Sequence, residues 1–135
     1  MGPSFSPLQL IYRLTIYRVS IYNVYMNELS QSEFYILLSI AIKSRHGYEI
    51  MKQVEQDSGR KVVLGPGTLY GSIKRMLQSR LIEEVPGDNP RRKYYKLTEN
   101  GRTSLSSELE RYDDAVELAK RKNVFKNSGL AKSVF

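Results

Sequence analysis

The chain has 135 residues, with 21 Lys and Arg against 14 Asp and Glu, a single His and no Cys. That length supports one domain with a tail rather than two domains. The cysteine and histidine counts argue against disulfides, thiolate zinc sites, cysteine nucleophiles and histidine-rich metal or hydrolase centres. A net charge of +7 points instead to a polyanionic partner.

Residues 1–25 hold only two charges, Arg13 and Arg18. Both interrupt the apolar core that a secretory signal needs, and no apolar run reaches the length of a spanning helix. The expectation is a cytoplasmic protein with no membrane partner. Residues 11–25 read IYRLT, IYRVS and IYNVY, three tandem pentads. Five is neither a helical nor a strand period, and the β-branched and aromatic content favours an extended local structure. The composition changes sharply at Met26. We read 1–25 as an extension outside the functional domain: either the product of a start codon assigned too early, or a genuine strand or disordered arm.

From Met26 the punctuation is regular. Ser30-Gln-Ser-Glu33 is a capping box. Phe34, Leu37, Leu38 and Ala41 then share a helical face, which predicts a first helix to about Lys43. A second helix is predicted from about Gly47 to Ser58, with Ile50, Met51 and Val54 inward and Gly59 as its C′ glycine. Val62-Val63-Leu64 reads as a short strand. Gly65-Pro66-Gly67 turns the chain into a third helix, Thr68 to about Arg80. Leu81–Val85 and Arg92–Leu97 read as two strands around the turn-rich loop 86–90, a hairpin. A last helix runs from Thr98 to about Lys122, and 123–135 is a frayed tail. The fold class expected is mainly α with a small β-hairpin: a winged helix-turn-helix over 26–98, followed by a C-terminal dimerisation helix over 99–122.

The third helix carries the sharpest chemistry. With Ile73 at the centre of its inner face, Leu69, Met76 and Leu77 fall within about 60° of it. Thr68, Gly71, Arg75 and Gln78 fall opposite, with Ser72, Ser79 and Lys74 on the flanks and Tyr70 near the rim. An outward face that is small, hydrogen-bonding or cationic suits the major groove, where Arg pairs with guanine and Gln with adenine. Arg75 and Gln78 are therefore expected to read bases, with Thr68 and Ser72 assisting and Gly71 allowing close approach. Lys74, Tyr70 and the predicted wing residues Arg91, Arg92 and Lys93 are expected to meet phosphates. A solvated helix face is the ordinary alternative, but no acid occurs between Gly59 and Ile82, whereas solvated faces mix signs. Residues 60–102 hold ten Lys and Arg against four Asp and Glu, so +6 of the net +7 lies there.

Strand alternation puts Tyr95 and Leu97 toward the core, with Tyr94 and Lys96 facing away. The Gly65, Gly67 and Gly71 cluster matches neither a dinucleotide fingerprint nor a P-loop, so turn chemistry explains it. His46 precedes a helix and has no partner at ligand spacing, which makes it a turn or capping residue. In the last helix Leu105, Leu109, Tyr112, Val116 and Ala119 are spaced 4, 3, 4, 3, the seam of a heptad. Such a stripe suits a second chain, alongside packing on the first helix within the chain. A homodimer would match a pseudo-palindromic double-stranded DNA operator.

His46-Gly-Tyr-Glu-Ile50, the run from Leu64 through Gly-Thr-Leu-Tyr-Gly to Leu77, Leu81-Ile-Glu-Glu84, Tyr94-Tyr-Lys-Leu-Thr98 and Gly101 resemble the PadR family of bacterial transcriptional regulators. The resemblance covers about Asn27 to Lys122, and the single short C-terminal helix is similar to the small subfamily. It implies a dimeric winged-helix repressor, with a dimer contact through the last helix and a small aromatic or cationic effector. The small drug-sensing members use a Trp in the dimer cavity, and this chain has none. The ligand-binding residues are left open, with stacking by Tyr112 or Phe34 in view, and no cofactor or metal is expected. The other reading carried forward is a winged-helix protein-interaction module without a specific DNA site. Nothing supports an enzyme: no paired carboxylates, no nucleophile–base set and no metal spacing.

Overall fold

A computed structural model describes residues 4, 6–11 and 28–125. Residues 7–11 form one helical turn. The expected pentad arm lies outside the described residues except for Ile11, as does the tail beyond residue 125. The elements in order are α1 (Gln31–Ser39), β1 (Arg45–His46), α2 (Gly47–Asp57), α3 (Pro66–Gln78), β2 (Ile82–Val85), β3 (Tyr94–Leu97) and α4 (Glu99–Arg121). The three strands form one antiparallel sheet in the order β1-β3-β2. The chain is therefore mostly helical with a small sheet, a winged helix.

Local chemistry explains most boundaries. Ser30 and Glu33 close the expected capping box on α1. The helix ends at Ser39, short of the expected Lys43, in a tightened last turn where the Ile40 and Ala41 N–H groups donate to the Leu37 and Leu38 carbonyls. Arg45 Nε donates to the Ser39 carbonyl at 2.7 Å, and Arg102 Nη2 donates to the Ala41 carbonyl at 3.3 Å. Ile42 is left 98% exposed at the tip of the turn. His46 is the N-cap of α2, as expected: its Nδ1 accepts from the Glu49 N–H and Glu49 reaches back to the His46 N–H. Gly59, at φ +60, follows the Ser58 C-cap as read from the sequence. Pro66 opens α3, two residues earlier than expected, where its missing N–H costs nothing.

Val62–Leu64 is not a strand. Val62 and Leu64 are buried and Val63 is exposed, so the alternation is real. No neighbouring strand pairs with the segment among the described residues; the buried Ser58 Oγ instead bonds both the N–H and the carbonyl of Val62. The third strand is β1, whose register with β3 pairs Arg45 with Tyr95 and His46 with Tyr94.

The core is built around α1, which packs on α2, α3 and α4. Its buried residues are Phe34, Ile36, Leu37 and Ile40. Leu38 and Ala41, expected inside, are only half-buried, and Ile36 and Ile40 take those places. A helix covered on three sides has no single apolar stripe to follow. Ile50, Val54, Leu69, Ile73, Met76, Ile82, Tyr95 and Leu105 complete the core. A Cβ at Gly101 would fall on the Leu81 carbonyl oxygen, so only glycine lets the first turn of α4 sit against the start of the wing.

Tyr94 is buried together with Tyr95 rather than facing away. The wing loop folds over Tyr94. The Tyr94 ring occupies the space a side chain at Gly87 would need, and its hydroxyl accepts from the Asn89 N–H at 3.2 Å. On its other side the His46 ring meets it edge-on at 5.4 Å. No helix among the described residues is long and apolar enough to cross a membrane.

Candidate nucleic-acid interface

The start of α2, the N-terminal half of α3 and the wing converge. A cleft of about 320 Å³ is lined by His46, Gly47, Tyr48, Tyr70, Arg91, Arg92, Lys93 and Tyr95. Three of the expected phosphate ligands, Arg91, Arg92 and Lys93, thus stand beside a fourth, Tyr70, and all four are exposed. Tyr48 joins them at 52% exposure, with the Lys52 ammonium 4.7 Å from its ring centre. Cationic and aromatic groups around one concave surface suit a phosphate backbone.

His46 holds the wing to α2. Its ring nitrogens lie 3.2 and 3.3 Å from Arg92 Nη1, and its Nε2 lies 3.5 Å from Glu49 Oε1. Sequence reading found the cap but not this second role, nor Tyr48. Both sit inside the quoted His46-Gly-Tyr48 run, and only the folding of the wing onto α2, 46 residues away, brings them to the surface in question.

Along α3, Thr68, Lys74, Arg75 and Gln78 are exposed and Gly71 is half-buried, in line with the predicted outward arc. Ser72 is not part of that arc: it is fully buried. It therefore presents no surface to a base, contrary to the assisting role expected of it. Its hydroxyl accepts from Arg75 Nη2 at 3.1 Å.

Arg75 and Gln78 do not line the cleft beside the wing. They border a second one of about 500 Å³, with Leu29, Glu33, Met76, Ser79, Arg80, Leu81, Asn100 and Ser104, between α1, the end of α3 and the start of α4. Arg75 Nε is 3.4 Å from Glu33 Oε1, a pairing across 42 residues that no local pattern signals.

On α4 the five seam residues separate. Leu105 is buried in its own core, Ala119 is half-buried, and Leu109, Tyr112 and Val116 are 43%, 44% and 36% exposed. The Tyr112 ring meets Phe34 edge-on at 5.3 Å, and Phe34 meets Tyr35 the same way. Glu108 is buried beside them, and its Oε1 accepts from Arg111 Nη2 at 3.3 Å. Partial burial, then the hydrogen bond to Glu108 and that group's negative charge, push the Tyr112 hydroxyl above its ordinary pKa, with Arg111 opposing. Burial, then Glu84 and Tyr70, do the same to Tyr95. No group of three or more potential metal ligands occurs among the described residues.

Uncharacterized protein X of Lysinibacillus sphaericus is 30% identical over 86 residues, which cover 62% of this chain and 79% of that protein. A 37.1 kDa protein in a transposon of Streptomyces fradiae is 33% identical over 79 residues, of which the chain spans only 22% of that longer protein. A PadR family transcription regulator from hypervirulent Clostridium difficile matches the fold at a TM-score of 0.58 with 28% identity, over 68% of this chain and 97% of that one. A transcriptional regulator from Clostridium thermocellum matches at a TM-score of 0.58 with 22% identity, over 69% and 96%. The profile of the transcriptional regulator PadR-like family matches residues 36–107, just over half of the sequence. The chain belongs to the PadR-like family of transcriptional regulators, proteins that bind DNA and catalyse no reaction.

Proposed function

We propose that the protein is a homodimeric, sequence-specific repressor whose DNA affinity is set by a small effector. The observation that carries the DNA-binding part is the shared cleft of Tyr70 with Arg91, Arg92 and Lys93, within the stretch that holds +6 of the net charge. Thr68, Gly71, Arg75 and Gln78 meet bases along the outward arc of α3. Lys74, Tyr70, Tyr48 and the three wing cations neutralise phosphates.

The exposed Leu109, Tyr112 and Val116 support a dimer contact along α4, continuous with Leu105 and Ala119. A dimer places two copies of α3 on successive turns of one face of the duplex and favours a pseudo-palindromic operator. The functional unit is the winged helix over 26–98 with the α4 region, 99–122, as its dimerisation element; residues 1–25 and 123–135 flank it. An aromatic or cationic effector finds Phe34, Tyr35, Tyr112 and the buried Glu108 at the α1–α4 contact. To regulate, it must bind the DNA-competent and incompetent states with different affinity.

Footprinting on the gene's own upstream region at physiological salt, with and without candidate aromatic acids and organic cations, tests the proposal. Protection of two half-sites about one duplex turn apart supports it. Uniform, weak coating that salt abolishes removes the specific site and leaves the protein-interaction module.

A further inference from the structure

Arg75 sits in a built seat. Its Nε donates to Glu33 Oε1 at 3.4 Å and its Nη2 donates to Ser72 Oγ at 3.1 Å. Its Nη1 lies over Gly71, 3.7 Å from where a Cβ on that residue would stand. Glu33 is itself held. Its Oε2 accepts from the Ser30 N–H at 3.2 Å, while Ser30 Oγ accepts from the Glu33 N–H at 3.1 Å. The Glu33 side chain is 17% exposed and that of Arg75 is 61% exposed, so an ordered carboxylate backs an accessible guanidinium.

The two edges of the guanidinium have different fates. Glu33 engages Nε and Ser72 engages Nη2, the two nitrogens of the side-on edge. Nη1, on the end-on edge, lies beside Gly71, a position of the outward arc. That edge is a planar pair of donors of the kind that matches O6 and N7 of guanine. A long arginine side chain loses rotamer freedom when it binds, and a seat formed beforehand lowers that cost.

We infer that Glu33, on α1 and outside the recognition helix, is a positioning residue for sequence specificity: with Ser72 it seats Arg75 side-on and leaves its end-on fork for a guanine. The inference rests on the reading of Arg75 as a base contact. Glu33 has an effect on DNA opposite in sign to that of a phosphate ligand. Its negative charge opposes the backbone, so removing it does not weaken sequence-independent attraction; what it removes is discrimination.

The test is selection of binding sites by the full chain from a randomised duplex library, with affinity for an unselected duplex measured in parallel. Glu33→Gln is the central variant, because glutamine keeps the acceptor that the capping box needs while losing the charge that holds Arg75. It is expected to melt within a few degrees of the parent, to lose about tenfold in guanine preference at one position per half-site, and to bind the unselected duplex at least as tightly. Ser30→Ala weakens the cap but leaves the carboxylate–guanidinium contact, and is expected to keep the preference. Arg75→Ala is expected to lose the same guanine. If Arg75→Ala loses it and Glu33→Gln does not, the positioning role is overturned and the base contact stands. If Arg75→Ala keeps it, both fall. If Ser30→Ala loses as much as Glu33→Gln, the effect belongs to the helix cap and the inference is overturned.

Discussion

The Tyr70 hydroxyl stands 2.7 Å from the point where a Cβ on Gly47 would lie, so a side chain there would push against the half-exposed end of the Tyr70 ring. The contact joins the two helices that frame the cleft beside the wing. Gly47→Ala is expected to cost about 1–3 kcal/mol, the range for overpacking a tight contact, and to weaken DNA binding by displacing Tyr70. Adding Tyr70→Phe removes the nearest atom but leaves the ring carbon and Leu69 at 3.2 and 3.3 Å, so it should recover part of the stability. Urea unfolding of the single and double variants checks this; equal stability of Gly47→Ala and the parent would show that the Tyr70 side chain swings aside at no cost.

Arg75 and Lys93 are both exposed cations, on α3 and the wing respectively, yet they should fail differently. Arg75→Ala is expected to cost about 1–3 kcal/mol on a specific site and to relax preference at one base pair. Lys93→Ala should weaken all sequences alike and reduce the salt slope by about 1. Titrations of specific and unrelated duplexes across a salt series distinguish the two patterns. Identical behaviour of the variants would refute the division into base and phosphate contacts.

Leu109 and Val116 lie on the exposed stripe of α4, so a charge there leaves the folded protomer's core untouched. Leu109→Glu with Val116→Glu is expected to convert a dimer to a folded monomer, seen by sedimentation, with little change in helical circular dichroism. Binding to a two-half-site operator should then fall toward that of a single half-site. A variant that still sediments as a dimer would move the contact elsewhere.

Tyr95 and Tyr112 both hold their protons more tightly in the folded chain than the ordinary tyrosine value of 10.0. A raised pKa contributes stability that is complete below about pH 10 and is lost as pH rises through the higher folded value. The melting temperature should therefore fall on the alkaline side, above about pH 10. Tyr112→Phe should flatten part of that fall without altering stability trends nearer neutrality. An unchanged alkaline slope in Tyr112→Phe would assign the effect to Tyr95 or to other groups.

Much of this protein was legible along the chain because the signals are local. The Ser30–Glu33 box, the His46 cap and the Gly59 C′ position each act within four residues, and each is found where the sequence placed it. The motif run from His46 to Thr98, the concentration of positive charge in 60–102 and the family itself are likewise written in the sequence. Tertiary structure decided what depends on distant partners. β1 exists because β3 lies beside it, whereas Val62–Leu64 has the strand pattern and no pairing strand among the described residues. Tyr94 is buried because the wing loop folds over it, and Ser72 is buried although the helical pattern puts it on a flank. The partner of Arg75 lies 42 residues away. A chain pattern specifies which face a residue occupies on its own element; only packing specifies what that face meets.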